Sequence, residues 1–321
     1  MIKKESIHQY EIWTENLTKV YGKGEEALKA VSNINLRIKP GIHGFLGPNG
    51  AGKTTTLHML IGAISITEGK AKIRDETAGT VAAKELIGFI PQDPVFYDDM
   101  TGEEYLIYLG QLGGLQRINA KRKAQELLDS FNLFEARNRN IETYSGGEKQ
   151  KIAIAAALIH EPKVLILDEP TANLDPIGRA DVIRKIKELS ENMSVFVSSH
   201  ILSEIEQMCE DVVMINHGEI VIFDSISNIK KKFIRNLHVL DTNMNDKFFE
   251  VLKIQSYISK VRINELDGKI HIIPKDLKKL RETLPHLLIK HNTILLSFHQ
   301  QERSLQDIFM ETMLKKESMN K

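Results

Sequence analysis

A glycine-rich loop that follows a short apolar run constrains the fold of this chain more than any other feature. The loop fits the pattern GxxxxGK[ST], and its residues are Gly47, Pro48, Asn49, Gly50, Ala51, Gly52, Lys53 and Thr54. The apolar run at 42–46 reads as a strand, and residues 54–61 read as a helix. A strand, a loop of this pattern and a helix in succession predict an α/β fold that binds a nucleotide by its phosphates.

Each residue type in the loop has a physical task. Glycines let the backbone turn tightly and aim its N–H groups at phosphate oxygens. The helix that begins near Lys53 adds the positive end of its dipole. We expect the Lys53 ammonium to reach the β- and γ-phosphates and the Thr54 hydroxyl to bind Mg²⁺. Thr55 is predicted to complete the nucleotide contacts.

A pair of carboxylates follows a second apolar run. Residues 164–167 are aliphatic, and Asp168 and Glu169 come directly after them. A buried strand would carry both to the carboxyl edge of the sheet, where ligands bind in such folds. Asp168 is then placed to hold Mg²⁺, and Glu169 to polarise an attacking water. Without the upstream loop, the pair would read as two surface acids at a solvated strand end.

Composition narrows the class of protein. Lys and Arg number 43 and Asp and Glu number 43, so the net charge of zero does not favour a nucleic-acid partner. The single cysteine, Cys209, excludes an internal disulfide. The apolar run at 152–159 is far shorter than the about 20 residues of a membrane span. The first residues lack a signal-peptide pattern, so we expect a cytoplasmic protein.

Most of the chain, residues 11–229, reads as one α/β domain. Continuous apolar runs predict strands that are buried on both faces of a mostly parallel sheet. These runs lie at 42–46, 164–167, 194–197 and 212–215. Residues 95–160 read as a helical insert, and we expect an antiparallel β subdomain beside the core.

The end of this domain has local signals of its own. His217 and Gly218 predict the turn of a hairpin whose second arm begins at residue 219. The basic run at 230–232 marks a boundary. Beyond it, residues 234–321 keep apolar content in short elements, which predicts a small α+β domain.

A third motif resembles a known family. Residues 144–151, YSGGEKQK, are similar to the signature of the ATP-binding subunits of ABC (ATP-binding cassette) transporters. In that family the signature faces the γ-phosphate of ATP bound to a second cassette. The resemblance therefore implies an ATP-driven dimer with Ser145, Gly146 and Gly147 at its interface. A hydroxyl and glycine N–H groups at a helix start form a suitable anion site.

Other positions resemble family motifs in the same order. Tyr21 resembles the aromatic residue that stacks on adenine, and Gln92 resembles the glutamine that touches Mg²⁺ and senses the membrane partner. His200 resembles the switch histidine that contacts the γ-phosphate, which makes it catalytic beside Glu169. Three residues resemble the D-loop at the dimer interface: Asn173, Leu174 and Asp175.

The signature departs from the family pattern at two positions. Tyr144 stands where the family has leucine, and Glu148 stands where it has glutamine. Neither change removes the hydroxyl or the glycines. A carboxylate at 148 would, as a hypothesis, weaken affinity at the dimer interface.

The C-terminal residues 304–309, SLQDIF, resemble the SLEDIF ending of ATPase subunits paired with ABC-2-type exporters. The alternative is an amphipathic helix with a structural role only, which packs on its own domain. The resemblance implies an Mg²⁺-dependent ATPase on the cytoplasmic face of the membrane, held there by separate permease chains, with the insert as docking surface. An importer ATPase, a non-catalytic subunit and a soluble ABC ATPase acting on ribosomes or DNA are the alternatives.

Overall fold

The computed structural model describes residues 9–24, 27–232, 237–264, 267–300 and residue 309. The chain divides into two compact units, Met1–Ile226 and Ser227–Lys321. The helix Ile226–Lys232 begins at this boundary and contains both residue 229, the predicted end of the first domain, and the basic run at 230–232. Among the described helices, none combines the length and the apolar character that a bilayer crossing requires.

The first unit contains strands and helices in alternation. Its strands are β1 (Ile12–Tyr21), β2 (Leu28–Ile34), β3 (Arg37–Ile38), β4 (Ile42–Leu46), β5 (Glu68–Ile73), β6 (Glu76–Thr77), β7 (Ile87–Ile90), β8 (Val164–Asp168), β9 (Ser194–Ser199), β10 (Asp211–Asn216) and β11 (Glu219–Ser225). Its helices are α1 (Lys53–Ile61), α2 (Val81–Glu85), α3 (Gly102–Leu112), α4 (Arg117–Ser130), α5 (Gly146–Leu158), α6 (Pro176–Ser190) and α7 (Leu202–Met208), and α8 (Ile226–Lys232) spans the unit boundary.

The main sheet has the strand order β11-β10-β4-β9-β8-β7 in the described part of the chain. All neighbours pair in parallel except β10 and β11, which form the hairpin that turns at His217 and Gly218. Every residue of β8 and β9 is buried, which agrees with their apolar runs at 164–167 and 195–197. The predicted α/β class is confirmed, and the carboxyl ends of β4, β8 and β9 meet at one edge.

Two smaller parts complete the first unit. Strands β1, β2, β3, β5 and β6 form the expected antiparallel subdomain. Its apolar residues share one core with the main sheet, where Ile12 and Leu17 pack in the same cluster as Phe45. The insert is less helical than expected, because residues 131–145 form turns and one 3₁₀ turn between α4 and α5. Asn132, at a φ of 55°, is the left-handed residue just after α4 ends.

Besides most of α8, the second unit contains a four-stranded antiparallel sheet and two helices, counted over its described residues between 237 and 300. The order is β13-β14-β12-β15, with β12 (His238–Thr242), β13 (Ile258–Ile263), β14 (Ile270–Pro274) and β15 (Leu295–Gln300). Helices α9 (Asn245–Lys253) and α10 (Leu277–Lys290) contribute Phe248, Leu252, Leu280 and Leu284 to its core. Of the motif at 304–309, only Phe309 lies within the described residues.

Candidate functional site

The glycine-rich loop leaves the buried end of β4 and leads directly into α1. Gly50 and Gly52 have φ values of 78° and 102°, in the left-handed region that favours glycine. A side chain at Gly52 would also stand 2.7 Å from the carbonyl oxygen of Ala30. The loop therefore needs glycine at this point for both conformation and space, and Lys53 starts the helix immediately after it.

A cavity of about 310 Å³ lies over this loop. It brings together predicted residues from three separate segments and is lined by Asn49, Gly50, Gly52, Lys53, Thr54, Thr55, Gln92 and Glu169, together with Ala30. Ala30, on β2, was missed because a single alanine carries no chemical signal in a sequence. Gly47 and Pro48 lie behind the cavity, where their carbonyl oxygens accept hydrogen bonds from Lys53 Nζ at 2.8 and 3.3 Å. Ala51 is buried.

The centre of the site is a row of three charged or polar side chains. Lys53 Nζ lies 3.2 Å from Glu169 Oε1, and His200 Nδ1 lies 2.7 Å from Glu169 Oε2. Lys53 and Glu169 are 5% and 8% exposed, whereas His200 is 45% exposed. The carboxylate thus holds the phosphate-loop lysine on one side and the histidine on the other.

Ser198, on the neighbouring strand β9, positions both acids. Its hydroxyl donates to Asp168 Oδ1 at 2.5 Å and accepts from the backbone N–H of Glu169 at 3.0 Å. Glu169 itself has a φ of 48°, a conformation that a residue with a side chain rarely adopts. Sequence reasoning missed Ser198, since a serine in an apolar strand gives no sign of what it contacts across the sheet.

A third buried carboxylate lies next to the strand end that precedes His200. Glu204, on α7, is 2% exposed, and its Oε2 accepts hydrogen bonds from the hydroxyls of Thr171 at 2.7 Å and Ser199 at 3.0 Å. Its Oε1 lies 3.3 Å from Arg179 Nε on α6. Glu204 therefore ties the strand end that carries His200 to the segment that follows Glu169. Its only sequence signal was a carboxylate one helical turn after His200.

The predicted signature lies at the start of α5 and does not line the cavity of its own chain. Ser145 is the N-cap: its hydroxyl accepts from the N–H of Glu148 at 3.2 Å, and Glu148 Oε2 accepts from the N–H of Ser145 at 2.8 Å. A side chain at Gly147 would meet nothing within 4 Å, and one at Gly146 would only approach Leu174. The glycine face of this helix start is open.

Glu148 is not an isolated charge, because Arg139 pairs with its Oε1. Burial alone would raise the pKa of Glu148, but hydrogen bonds from Ser145 and the charge of Arg139 hold that pKa below its ordinary value. Tyr144, the other departure, has its ring buried and donates its hydroxyl to the Ala136 carbonyl at 2.8 Å. The ring occupies the space that a side chain at Gly102 would fill.

The predicted D-loop lies beside the signature. Asn173 has a φ of 61°, and Asp175 caps α6 by accepting from the N–H of Gly178 at 2.7 Å. Leu174 is the residue that approaches Gly146. The structure therefore brings the two predicted interface segments together on one surface.

Tyr21 lies at the end of β1 and is not among the residues that line the cavity. Its ring is 42% exposed, and the Lys19 ammonium lies 5.1 Å from the ring centroid. Its neighbour across the strand pair is Leu28, which is 67% exposed. An exposed ring at a strand end is available to stack on a planar ligand.

The strand–loop–helix geometry, with Lys53 beside a strand-end acid pair, defines a phosphate-loop nucleotide-binding protein. Comparison with known proteins gives the family: the model for ABC transporter matches residues 31–172. The linearmycin resistance ATP-binding protein LnrL of Bacillus subtilis (strain 168) is 34% identical over 304 residues, 92% of this chain and 96% of LnrL. The bacitracin transport ATP-binding protein BcrA of Bacillus licheniformis is 35% identical over 307 residues, 94% of this chain and 96% of BcrA.

A solved structure matches as well. The dimeric ATP-binding cassette MJ0796, in a post-hydrolysis state bound to ADP and Pi, superposes with a TM-score of 0.61 at 25% identity. The match covers 67% of this chain and 98% of that cassette. The chain belongs to the ABC transporter family and is one of its ATP-binding, ATP-hydrolysing subunits. Subunits of this family work with membrane permeases, and their cassettes dimerise.

Proposed function

We propose that two copies of this chain close head-to-tail on ATP and drive a separate exporter permease from the cytoplasmic face of the membrane. The observation that carries this proposal is the separation of the two phosphate sites. Ser145, Gly146 and Gly147 present an open helix start that lies outside the cavity over Lys53. An anion site that lies away from the nucleotide of its own chain needs the phosphate of a nucleotide bound to a partner chain.

Within each composite site the residues of this chain have distinct tasks. Lys53 binds the β- and γ-phosphates, and Tyr21 stacks on adenine. Glu169 accepts a proton from the attacking water, while His200 contacts the γ-phosphate. The D-loop residues Asn173, Leu174 and Asp175 complete the contact with the partner cassette.

The site also fits Mg²⁺. Thr54 and Gln92 offer a hydroxyl and an amide oxygen to the cavity, and Asp168 adds a buried carboxylate one residue before the lining residue Glu169. Hard oxygen donors of this kind suit Mg²⁺, which keeps several of its own waters. When bound, the ion would neutralise phosphate charge, while Lys53 and His200 orient the nucleotide.

Export is supported by the relatives. LnrL is a resistance protein and BcrA a bacitracin transport protein, and both are matched along nearly the whole chain. The ending at 304–309 resembles that of exporter ATPases. These features favour a permease of the ABC-2 type, docked on the helical insert.

The experiment is a phosphate-release assay on Glu169→Gln, with Glu191→Gln as the matched surface control. We expect a loss of about 100-fold or more in turnover for Glu169→Gln. We also expect the same variant to form a dimer with ATP in light scattering. Lys53→Ala should lose most nucleotide affinity. Normal turnover in Glu169→Gln would remove Glu169 from the role of base, and a monomer with ATP would remove the dimer.

A further inference from the structure

The sheet of the second unit has two faces of different character. Along β14, Ile270 and Ile272 belong to the core beneath α9 and α10. Side chains alternate along a strand, so His271 points to the opposite face. Register places Arg262 on one side of His271 and Val239 on the other. The face away from the helices thus combines apolar and basic residues in one row.

His271 is buried at 5% exposure, yet neither of its ring nitrogens has a hydrogen-bond partner in the described part of the chain. Burial lowers the pKa of His271 below its ordinary value, so the ring is neutral at pH 7. A neutral ring still carries one N–H donor. A buried donor without an acceptor is rare in native proteins and calls for a partner.

There is space beside the His271 ring for a hydrogen-bond acceptor. A cavity of about 500 Å³ lies at the β13 edge of the sheet, and its lining combines His271, Lys260 and Arg262 from this face with Lys253 on α9 and Val261. Leu237 and Ile273 contribute aliphatic surface to the same cavity. The volume is typical of sites for small organic ligands.

The charged side chains that line the cavity, Lys253, Lys260 and Arg262, are all cationic, although the nearby carboxylate of Asp267 acts on His271 by its charge. Among the described residues that line it there is no carboxylate, and Lys260 and Arg262 form no ion pair with any described residue. Lys253, at the same cavity, forms an ion pair with the exposed Glu250 at 3.9 Å in the described part of the chain. Uncompensated cations around a pocket attract an anion.

We propose that this cavity binds a small soluble amphiphilic anion. Its anionic headgroup accepts hydrogen bonds from Arg262, Lys260 and the N–H of His271, and its aliphatic body lies on Leu237 and Ile273. The site belongs to the second unit alone. It does not depend on the function proposed for the first unit.

The test uses the full-length protein and octyl phosphate, titrated calorimetrically below the concentration at which it forms micelles. Octyl glucoside is the matched control ligand, because it has the same tail and no charge. The variant Lys260→Gln/Arg262→Gln is compared with Lys278→Gln/Arg281→Gln, which removes two exposed charges of the same kind from α10. All four side chains are exposed, so the variants should keep the parent's thermal unfolding temperature.

We expect octyl phosphate to bind the parent and the α10 variant, and to bind Lys260→Gln/Arg262→Gln at least about tenfold more weakly. Octyl glucoside should not compete. A histidine ring signal in the ¹⁵N NMR spectrum should move with octyl phosphate and be absent in His271→Gln. Equal binding to both double variants, or equal binding of octyl glucoside, overturns the proposal. Binding to phosphatidylglycerol vesicles without binding to soluble octyl phosphate also overturns it, in favour of a membrane contact.

Discussion

Removing the charge of Glu169 should tighten ATP binding while it stops turnover. Lys53 Nζ lies 3.2 Å from Glu169 Oε1, and both side chains are nearly buried. Incoming phosphates must therefore compete with Glu169 for the ammonium. At this distance the Coulomb attraction is about 5 kcal/mol with an effective dielectric constant near 20.

The substitution should change the free energy of ATP binding by less than this attraction, because the amide oxygen of Glu169→Gln can still accept a hydrogen bond from Lys53. Hydrogen bonds to charged groups contribute about 1.5–3 kcal/mol, and the lower value corresponds to about tenfold in Kd. We therefore expect Glu169→Gln to bind ATP about tenfold more tightly than the parent. Calorimetric titration with EDTA present measures binding without hydrolysis, and Glu191→Gln is the control. An affinity within twofold of the parent, or a weaker one, would refute the competition for Lys53.

Three further predictions concern other parts of the first unit. Gly102→Ala should lower the free energy of unfolding by about 1–3 kcal/mol through overlap with the Tyr144 ring, and adding Tyr144→Leu should restore most of it in a denaturant titration. Arg139→Gln should weaken ATP-driven dimerisation by exposing the Glu148 charge, whereas adding Glu148→Gln should restore it; equal dimers in light scattering would contradict this. Burial lowers the pKa of His43, so the unfolded chain takes up a proton at this side chain more readily than the folded protein does. The folded protein should therefore lose stability as the pH falls from about 6.5 through the folded-state pKa. His43→Gln should flatten the dependence of Tm on pH between 7 and 5, and an unchanged slope would exclude His43 as its source.

The elements around the nucleotide cavity were predictable because their signals are local. A buried parallel strand contains an apolar run, and such runs lie at 164–167 in β8 and 195–197 in β9, while β4 ends on Phe45 and Leu46. The phosphate loop has a fixed spacing that only a few folds use. Because parallel strands end at one edge of the sheet, Glu169 can be predicted to lie near Lys53 even when the loop conformations are unknown.

The contacts that hold the site in shape were not predictable from the sequence. Ser198 and Glu204 are single polar residues, and each has a partner 30 or 33 positions away in the chain. Tyr144 departs from the family motif, and the motif does not show that the absence of a side chain at Gly102 leaves space for its ring. Such pairs depend on packing between elements, which neither the periodicity of apolar residues nor a motif encodes.

The second unit shows the same limit. Its strands and helices follow from apolar periodicity, but the basic face around His271 depends on the register between β13 and β14. A shift of one residue would put Arg262 in the core. The roles of the site residues in both units stay predictions that experiments must test.

The central claim is that each ATP is enclosed by two chains, and complementation tests it most directly. Lys53→Ala damages one half of the composite site and Gly147→Glu the other, and the glutamate has open space in its own chain. Each variant alone should hydrolyse little ATP. In an equal mixture, half of the dimers pair one variant with the other and keep one intact site, so about a quarter of the parent's specific activity should return. A mixture no more active than the mean of its components would contradict the account.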